Sequence, residues 1–188
     1  MQSDAERCKE WATFSRIDAA FRSGDLARLR AAVDDPDSVP NGPMPVTIGP
    51  CLVYAIYHSP LPFIRTLLAI GADPNPTVHD GFPPLIAALS CSYSQLGSHG
   101  RTDTLEIVKL LLTFHADPNQ RGINDYTPLH MAVRERHLPA IEVLLEAGAD
   151  PQLRTRIDDY ETPHEMAKRA GLVEIAKLLA EYELKQEK

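Results

Sequence analysis

The chain has 188 residues, with 19 Lys and Arg against 26 Asp and Glu for a formal charge of −7, and 44% of its residues are hydrophobic. That length suits one domain able to bury roughly 70% of its unfolded surface, and the composition is that of a folded protein rather than a disordered tail. The acidic balance argues against nucleic acid as a partner, no run approaches the ~20 apolar residues of a membrane helix, and three widely spaced cysteines do not make a disulfide framework. The charged opening, Met1–Trp11, carries no apolar stretch of the kind a secretory signal needs. A cytoplasmic protein that binds neither nucleic acid nor membrane is the expectation.

In chain order, residues 1–14 are expected to form an N-terminal capping segment. A faint helix pair follows near 15–48, marked by Ile17 and Ala20, with Arg16, Arg22, Arg28 and Arg30 suited to a polar end. Its return loop, Asp34–Pro50, is long and proline-rich. The next pair, near 49–81, opens with Pro50-Cys51-Leu52-Val53-Tyr54-Ala55-Ile56 and closes on Gly71-Ala72-Asp73-Pro74-Asn75. A third, near 82–125, opens with Pro83-Pro84-Leu85-Ile86-Ala87-Ala88-Leu89 and closes on His115-Ala116-Asp117-Pro118-Asn119. The fourth, near 126–160, has the fullest opening, Thr127-Pro128-Leu129-His130-Met131-Ala132-Val133, and ends on Gly148-Ala149-Asp150-Pro151-Gln152. The fifth, near 161–181, opens with Thr162-Pro163-His164-Glu165-Met166-Ala167-Lys168, and 182–188 is a tail.

The spacings fix one repeating unit. Leu52 to Gly71 and Leu129 to Gly148 are both 19 residues, whereas Leu85 to His115 is 30, which is 19 plus an insertion of 11 near 91–101. His115 to Gly148 is 33 residues, and the 44 from Gly71 to His115 falls to 33 once the insertion is removed. Each unit reads as helix, turn, helix, glycine stop and loop. Thr127 is a good N-cap, and proline suits the first helical position because its missing N–H has no partner there anyway. Leu129, Ala132 and Val133 share one face. The second helices are expected to turn inward Leu138, Ile141, Val143, Leu144 and Leu145 in unit four, Leu105, Val108, Leu111 and Leu112 in unit three, and Val173, Ala176, Leu178 and Leu179 in unit five. Such a unit cannot bury its apolar stripe alone; stacking neighbours does.

On these residues the chain resembles the ankyrin-repeat family: Thr-Pro-Leu-His-x-Ala stands complete at 127–132, and the period is 33. The resemblance implies an all-α fold, an α-solenoid of about five stacked helix-turn-helix repeats joined by hairpin-like loops over residues 15–181. It implies a non-catalytic protein-binding module, with no cofactor and no metal, acting as a monomer through a concave groove of loop tips and first helices. Carried onto this chain, the contact positions are Tyr57, His58, His79, Asp80, Phe82, Ile123, Asn124, Tyr126, Arg134, Glu135, Asp158 and Asp159. The partner is expected to be a protein, one with a basic patch to suit the acidic tips. An inhibitory or neutralising subunit of a neighbouring enzyme or toxin is the alternative, and an enzyme the remote one.

The bland readings sit beside these. Phe82 and Tyr126 are as well suited to packing against the next loop as to gripping a partner. His130 is expected to hydrogen-bond backbone across adjacent loops, as buried polar groups do. Cys91, His99 and His115 lack the close paired spacing of a zinc site, and no nucleophile elbow, phosphate-cradling loop or His-Glu-x-x-His helix occurs. The 11-residue insertion, with two glycines and several serines, predicts a projecting loop. Tyr93, Leu96 and His99 within it are a second contact if the loop has a role, and a tolerated insertion is the simpler reading.

Overall fold

A computed structural model describes residues 4–45, 48–77, 81–91, 101–156 and 160–186. Among these residues the chain is all α, with ten α-helices, two short 3-10 turns and no strand. It divides into two compact units, Met1–Pro76 and Thr77–Lys188.

The first unit holds α1 (Asp4–Ser23), α2 (Leu26–Ala32), α3 (Cys51–His58) and α4 (Leu61–Ala69). The first helix runs from Asp4 to Ser23, so it crosses the boundary at 14/15 expected between a capping segment and the first helix pair. Asp25 caps α2, its side chain accepting from the Arg28 amide at 3.0 Å. Neither Pro50 nor Pro60, which stand ahead of α3 and α4, offers a side-chain cap. Packing makes up for that. Ile17 and Phe21 of α1, Leu29 of α2, Ile56 of α3, and Ile64 and Leu67 of α4 are fully buried, and a buried Leu, Ile or Phe stabilises by ~1.5–3 kcal/mol. Phe21 lies 4.8 Å from the Tyr54 ring and 5.9 Å from Phe63, the latter edge-on.

The second unit holds α5 (Pro84–Ser90), α6 (Thr104–Thr113), α7 (Pro128–Arg134), α8 (Leu138–Glu146), α9 (Pro163–Arg169) and α10 (Val173–Gln186). The first helices stack in order, α5 on α7 and α7 on α9, and α6 stacks on α8. Ala87, Ala88, Ala132 and Ala167 are buried where they meet, small enough for close approach. Inside the second helices the burial follows Ile107, Val108 and Leu111 in α6 and Ala140, Ile141 and Leu144 in α8. Leu105, Leu112, Leu138 and Val143 are only half-buried. Val173, expected inside, is 77% exposed, because it is the first residue of α10 and Ile175 takes the inward place instead. His164 and Lys168 of α9 stand where α7 has the buried Leu129 and Val133, and His164 pairs with Glu183 at 3.1 Å. The last pair therefore turns a polar face where its neighbour turns an apolar one.

Both units end a helix in the same way. At α8, the Ala149 amide reaches back to the Leu144 carbonyl (2.9 Å) and the Gly148 amide to Leu145 (3.1 Å), with Gly148 at φ +91°. This is the left-handed C-terminal motif that favours glycine. Gly71 repeats it after α4, and His115 takes the glycine's place after α6 at φ +64°. The aspartate two residues on then turns the chain: Asp73, Asp117 and Asp150 each accept from the amide two positions later at 2.8 Å.

Candidate binding surface

Two hairpin-like fingers rise from the second unit, each just ahead of a first helix. In the finger at 121–126 the Gly122 amide donates to the Tyr126 carbonyl at 2.9 Å, and Asn124 and Asp125 turn its tip at φ +60° and +59°. Two consecutive left-handed residues are the geometry of a type I′ hairpin turn, and Asn and Asp tolerate it better than other side chains. A Cβ on Gly122 would meet Ile86 Cδ1 at 2.9 Å and Pro83 Cδ at 3.1 Å, so a larger residue there would have to displace the buried Ile86 side chain. In the finger at 154–161 the Thr155 amide donates to the Glu161 carbonyl at 3.1 Å. The two fingers are tied together, since the Arg156 amide donates to the Asn124 carbonyl (3.2 Å) and the Arg121 guanidinium to the Arg154 carbonyl (2.9 Å).

His130 ties a finger to the helix below it. Its Nε2 lies 3.0 Å from the Glu161 carbonyl oxygen, which can only accept, so Nε2 carries the hydrogen. Nδ1 is then the acceptor, 2.8 Å from Thr127 Oγ1 and 3.3 Å from the Thr127 amide. The Thr127 hydroxyl in turn accepts from the His130 amide, closing a capping box around the start of α7. Burial pushes the imidazole down to about 4, so it stays neutral. The expectation that this histidine serves the fold holds.

Apolar side chains on both fingers reach solvent. Ile123 is 51% exposed and Tyr160, at φ +54°, is 62% exposed. Phe82 is half-buried, and so is Tyr126, whose ring lies 5.7 Å from that of His130. Asn124 is half-buried in the turn. On α7, Arg134 is exposed, while Glu135 sits half-buried past its end, where burial raises its carboxyl and Arg134 opposes the shift. His79, Asp80, Asp158 and Asp159 lie outside the described residues, as do Tyr93, Leu96 and His99. The described acids of the fingers and of the first turn of α9 are held by arginines. Arg169 grips Glu161 at 2.7 and 2.9 Å, Arg154 grips Glu165 at 2.7 and 3.0 Å, and Asp125 stands 3.3 Å from Arg156 and 3.7 Å from Arg121.

In the first unit, Tyr57 is partly exposed and His58 half-buried on α3, where the His58 ring stands 4.3 Å from that of Tyr54. The Tyr54 hydroxyl donates to Asp18 at 2.8 Å, and Arg22 donates to the same carboxylate at 2.7 Å. Burial alone would raise Asp18; the hydrogen bonds from Arg22 and Tyr54 outweigh it and hold the carboxyl below its usual range. Burial, with help from Asp18, pushes the Tyr54 hydroxyl up to about 12. Sequence reasoning did not single out Asp18 and Tyr54, nor two asparagines that clasp the loop of the following repeat. Asn119 Nδ2 donates to the Gly148 carbonyl (3.0 Å) while its Oδ1 accepts from the Asp150 amide (2.8 Å). Asn41 does the same to Gly71 (2.7 Å) and Asp73 (2.8 Å). Among the described residues no three of His, Cys, Asp and Glu form a metal-holding group, and burial pushes the Cys51 and Cys91 thiols up to about 12 and about 11, away from reactivity. No helix of the described residues is long and apolar enough to cross a membrane.

Comparison with known proteins agrees with this geometry. The family described as Ankyrin repeats (3 copies) matches residues 52–155 and, overlapping, 97–188. The chain is 33% identical over 126 residues to alpha-latroinsectotoxin-Lt1a of Latrodectus tredecimguttatus, covering 65% of this chain and 8% of the toxin. It is 37% identical over 76 residues to protein fem-1 homolog A of Bos taurus, covering 39% and 12%. It is 29% identical over 131 residues to the tyrosine-protein kinase Shark of Drosophila melanogaster, covering 69% and 13%. The chain thus spans about a tenth of the length of these relatives, and the likeness lies in the repeats. With the family pattern running from residue 52 to 188, over helix pairs stacked in its own period, the chain belongs to the ankyrin-repeat family.

Proposed function

We propose that this chain is a non-catalytic protein-binding module that grips a protein partner with its fingers and the adjoining first helices, acting as a single copy. Ankyrin repeats generally mediate protein–protein interaction, and the family is typically non-catalytic. The observation that carries the reading for this chain is the pair of apolar tips, Ile123 and Tyr160, held in solvent on fingers whose backbones are tied to each other. Large side chains on a rigid base lose little entropy when covered, which is what makes interface anchors. Arg134 at the end of α7 and Glu135 just past it, with Tyr57, His58, His79, Asp80, Phe82, Asn124, Tyr126, Asp158 and Asp159, complete the proposed contact set.

The charge of the partner follows from the arginine pairs. Sequence alone favours a basic patch. Asp125, Glu161 and Glu165 are held by arginines, so a basic patch on the partner would answer Asp80, Asp158 and Asp159 of the contact set. The test is affinity capture from the native host with mass spectrometry, followed by binding measurements on the purified partner. Changing Ile123 and Tyr160 together to alanine should weaken binding about tenfold or more, the loss expected of two anchors. Undiminished binding by a folded double variant would move the site off the fingers.

A further inference from the structure

We propose that Asn41 is a site of spontaneous deamidation, at which the loop clasp of the first unit comes open and stays open. The chain has four asparagines, followed in turn by Gly42, Pro76, Gln120 and Asp125. Deamidation starts when the amide nitrogen of the following residue attacks the asparagine Cγ. A glycine has no side chain to block that approach and turns freely into it. A glutamine or aspartate crowds it, and a proline nitrogen has no hydrogen to give up. Among the four, the chemistry singles out Asn41.

The fold keeps this labile pair in place. A Cβ on residue 42 would stand 2.6 Å from Ser38 Cβ and 2.7 Å from Ser38 Cα, so backbone would have to move for any other residue. Asn41 is needed for its amide: Nδ2 donates to the Gly71 carbonyl at 2.7 Å, and Oδ1 accepts from the Asp73 amide at 2.8 Å. The closed clasp protects. Both side-chain amide atoms are engaged and the Gly42 amide donates to the Ser38 carbonyl, so attack waits until these bonds part. Asn41 is exposed, so a local opening is enough. The Gly42 nitrogen then bonds to Cγ, its hydrogen leaves with Nδ2 as ammonia, and a succinimide ring forms. Water opens the ring at either carbonyl, giving aspartate or isoaspartate; in sum, one amide and one water become one carboxylate and one ammonium ion. A carboxylate has no hydrogen for the Gly71 carbonyl and sets a negative charge against it, so the clasp does not reclose. Asn119 makes the same clasp in the second unit but precedes Gln120, and it lasts.

The test ages the folded chain at mildly alkaline pH and body temperature, then maps each asparagine by digestion and mass spectrometry, with isoaspartyl methyltransferase to label isoaspartate. Asn41 should convert about tenfold or more faster than Asn119 and Asn124, with Asn75 unchanged. It should convert about tenfold or more slower than in a free peptide spanning 36–44, since the clasp must open first. Asn41→Asp, the product made directly, should speed hydrogen exchange at the Asp73 amide at least threefold and leave the Asp150 amide unchanged. The aged chain, separated by charge, gives the same readout should that variant fail to fold. No conversion at Asn41 in the folded chain, or a rate no greater than at Asn119, overturns the site. A rate equal to the free peptide's overturns the protecting clasp, and unchanged exchange at Asp73 in the converted chain overturns the lasting opening.

Discussion

The two units build the same repeat from different materials. In the first, α3 starts without a side-chain cap, and its pair is held by an aromatic cluster of Phe21, Tyr54 and Phe63 with the part-buried Tyr54–Asp18 bond and the exposed Arg22–Asp18 pair beside it. In the second, α7 and α9 start with threonine capping boxes, and His130 fastens a finger to the helix beneath. The asparagine clasp is common to both, as are the left-handed helix stop and the aspartate turn beside it. The lesson is that stacking requires closed loops and a buried face, and either ring packing or polar ties can supply the closure.

The largest expected effect probes the packed solution. Phe21→Ala should cost about 3–5 kcal/mol and Leu111→Ala or Leu144→Ala about 2–5 kcal/mol, all at fully buried sites. Urea denaturation measures both, and a Phe21→Ala loss under ~1 kcal/mol would break the contrast. His130 probes the polar solution through pH. Its folded pKa of about 4 lies below the ordinary histidine value of 6.5, so below pH 6.5 the unfolded chain takes up a proton that the folded one refuses. Stability from this group is complete above 6.5 and declines as pH falls from 6.5 toward 4, by an amount on the order of 3 kcal/mol. The His130→Gln variant should lose that slope while starting about 1–3 kcal/mol less stable at pH 7. An unchanged slope would show that other groups govern acid sensitivity.

A smaller pair of effects concerns the turn between the two helices of a repeat. Gly24 and Arg136 both hold it in the left-handed region, at φ +68° and +54°. A Cβ on Gly24 would meet Pro60 Cγ at 3.2 Å and Phe63 Cβ at 3.3 Å, so Gly24→Ala should cost about 1–3 kcal/mol from strain and crowding together. Arg136→Gly should instead stabilise, by roughly 0.5–1 kcal/mol, since it removes backbone strain from an exposed position. Equal signs for the two would contradict this account of the turn. The smallest effects belong to the clasps. Asn41→Ala and Asn119→Ala should each cost about 0.5–1.5 kcal/mol and speed hydrogen exchange at the Asp73 and Asp150 amides respectively. Exchange that quickens in only one unit would mean the shared device carries unequal weight.

Much of this was readable in advance because it is written at a fixed period. Thr127-Pro128 and Thr162-Pro163 announce helix starts, and Gly71 and Gly148 announce stops by chemistry local to each residue. Contacts between repeats are less legible. Arg121 meets the Arg154 carbonyl 33 residues on, one full period, so neighbours in space could have been sought among residues one period apart. That rule reaches both Asn119 and Asn41, whose partners lie 29 to 32 residues on, but only Asn119 holds the place in its repeat that the motif marks. In the second and third repeats the last residue of Asp-Pro-Asn is an asparagine, whereas in the first the matching Asp35-Pro36-Asp37 ends in aspartate. There the chain takes a 3-10 turn at Pro36–Ser38, and the clasp is made four residues later by Asn41. Burial at Val173 was misread because periodicity gives the face of a helix but not its first residue. The pairing of the finger acids was hidden for another reason: composition counts charges, while a partner meets only those left over.

The clasps and the histidine tie all point one way along the chain. Asn41 awaits Gly71, Asn119 awaits Gly148, and His130 awaits the carbonyl of Glu161, each separated by 29 to 31 residues. A ribosome adding about 5–20 residues per second leaves every donor without its mate for roughly 1.5–6 s. Birth therefore proceeds as a relay, each newly made coil pair secured only when its successor emerges, and a stalled ribosome exposes the latest link while earlier ones are already shut.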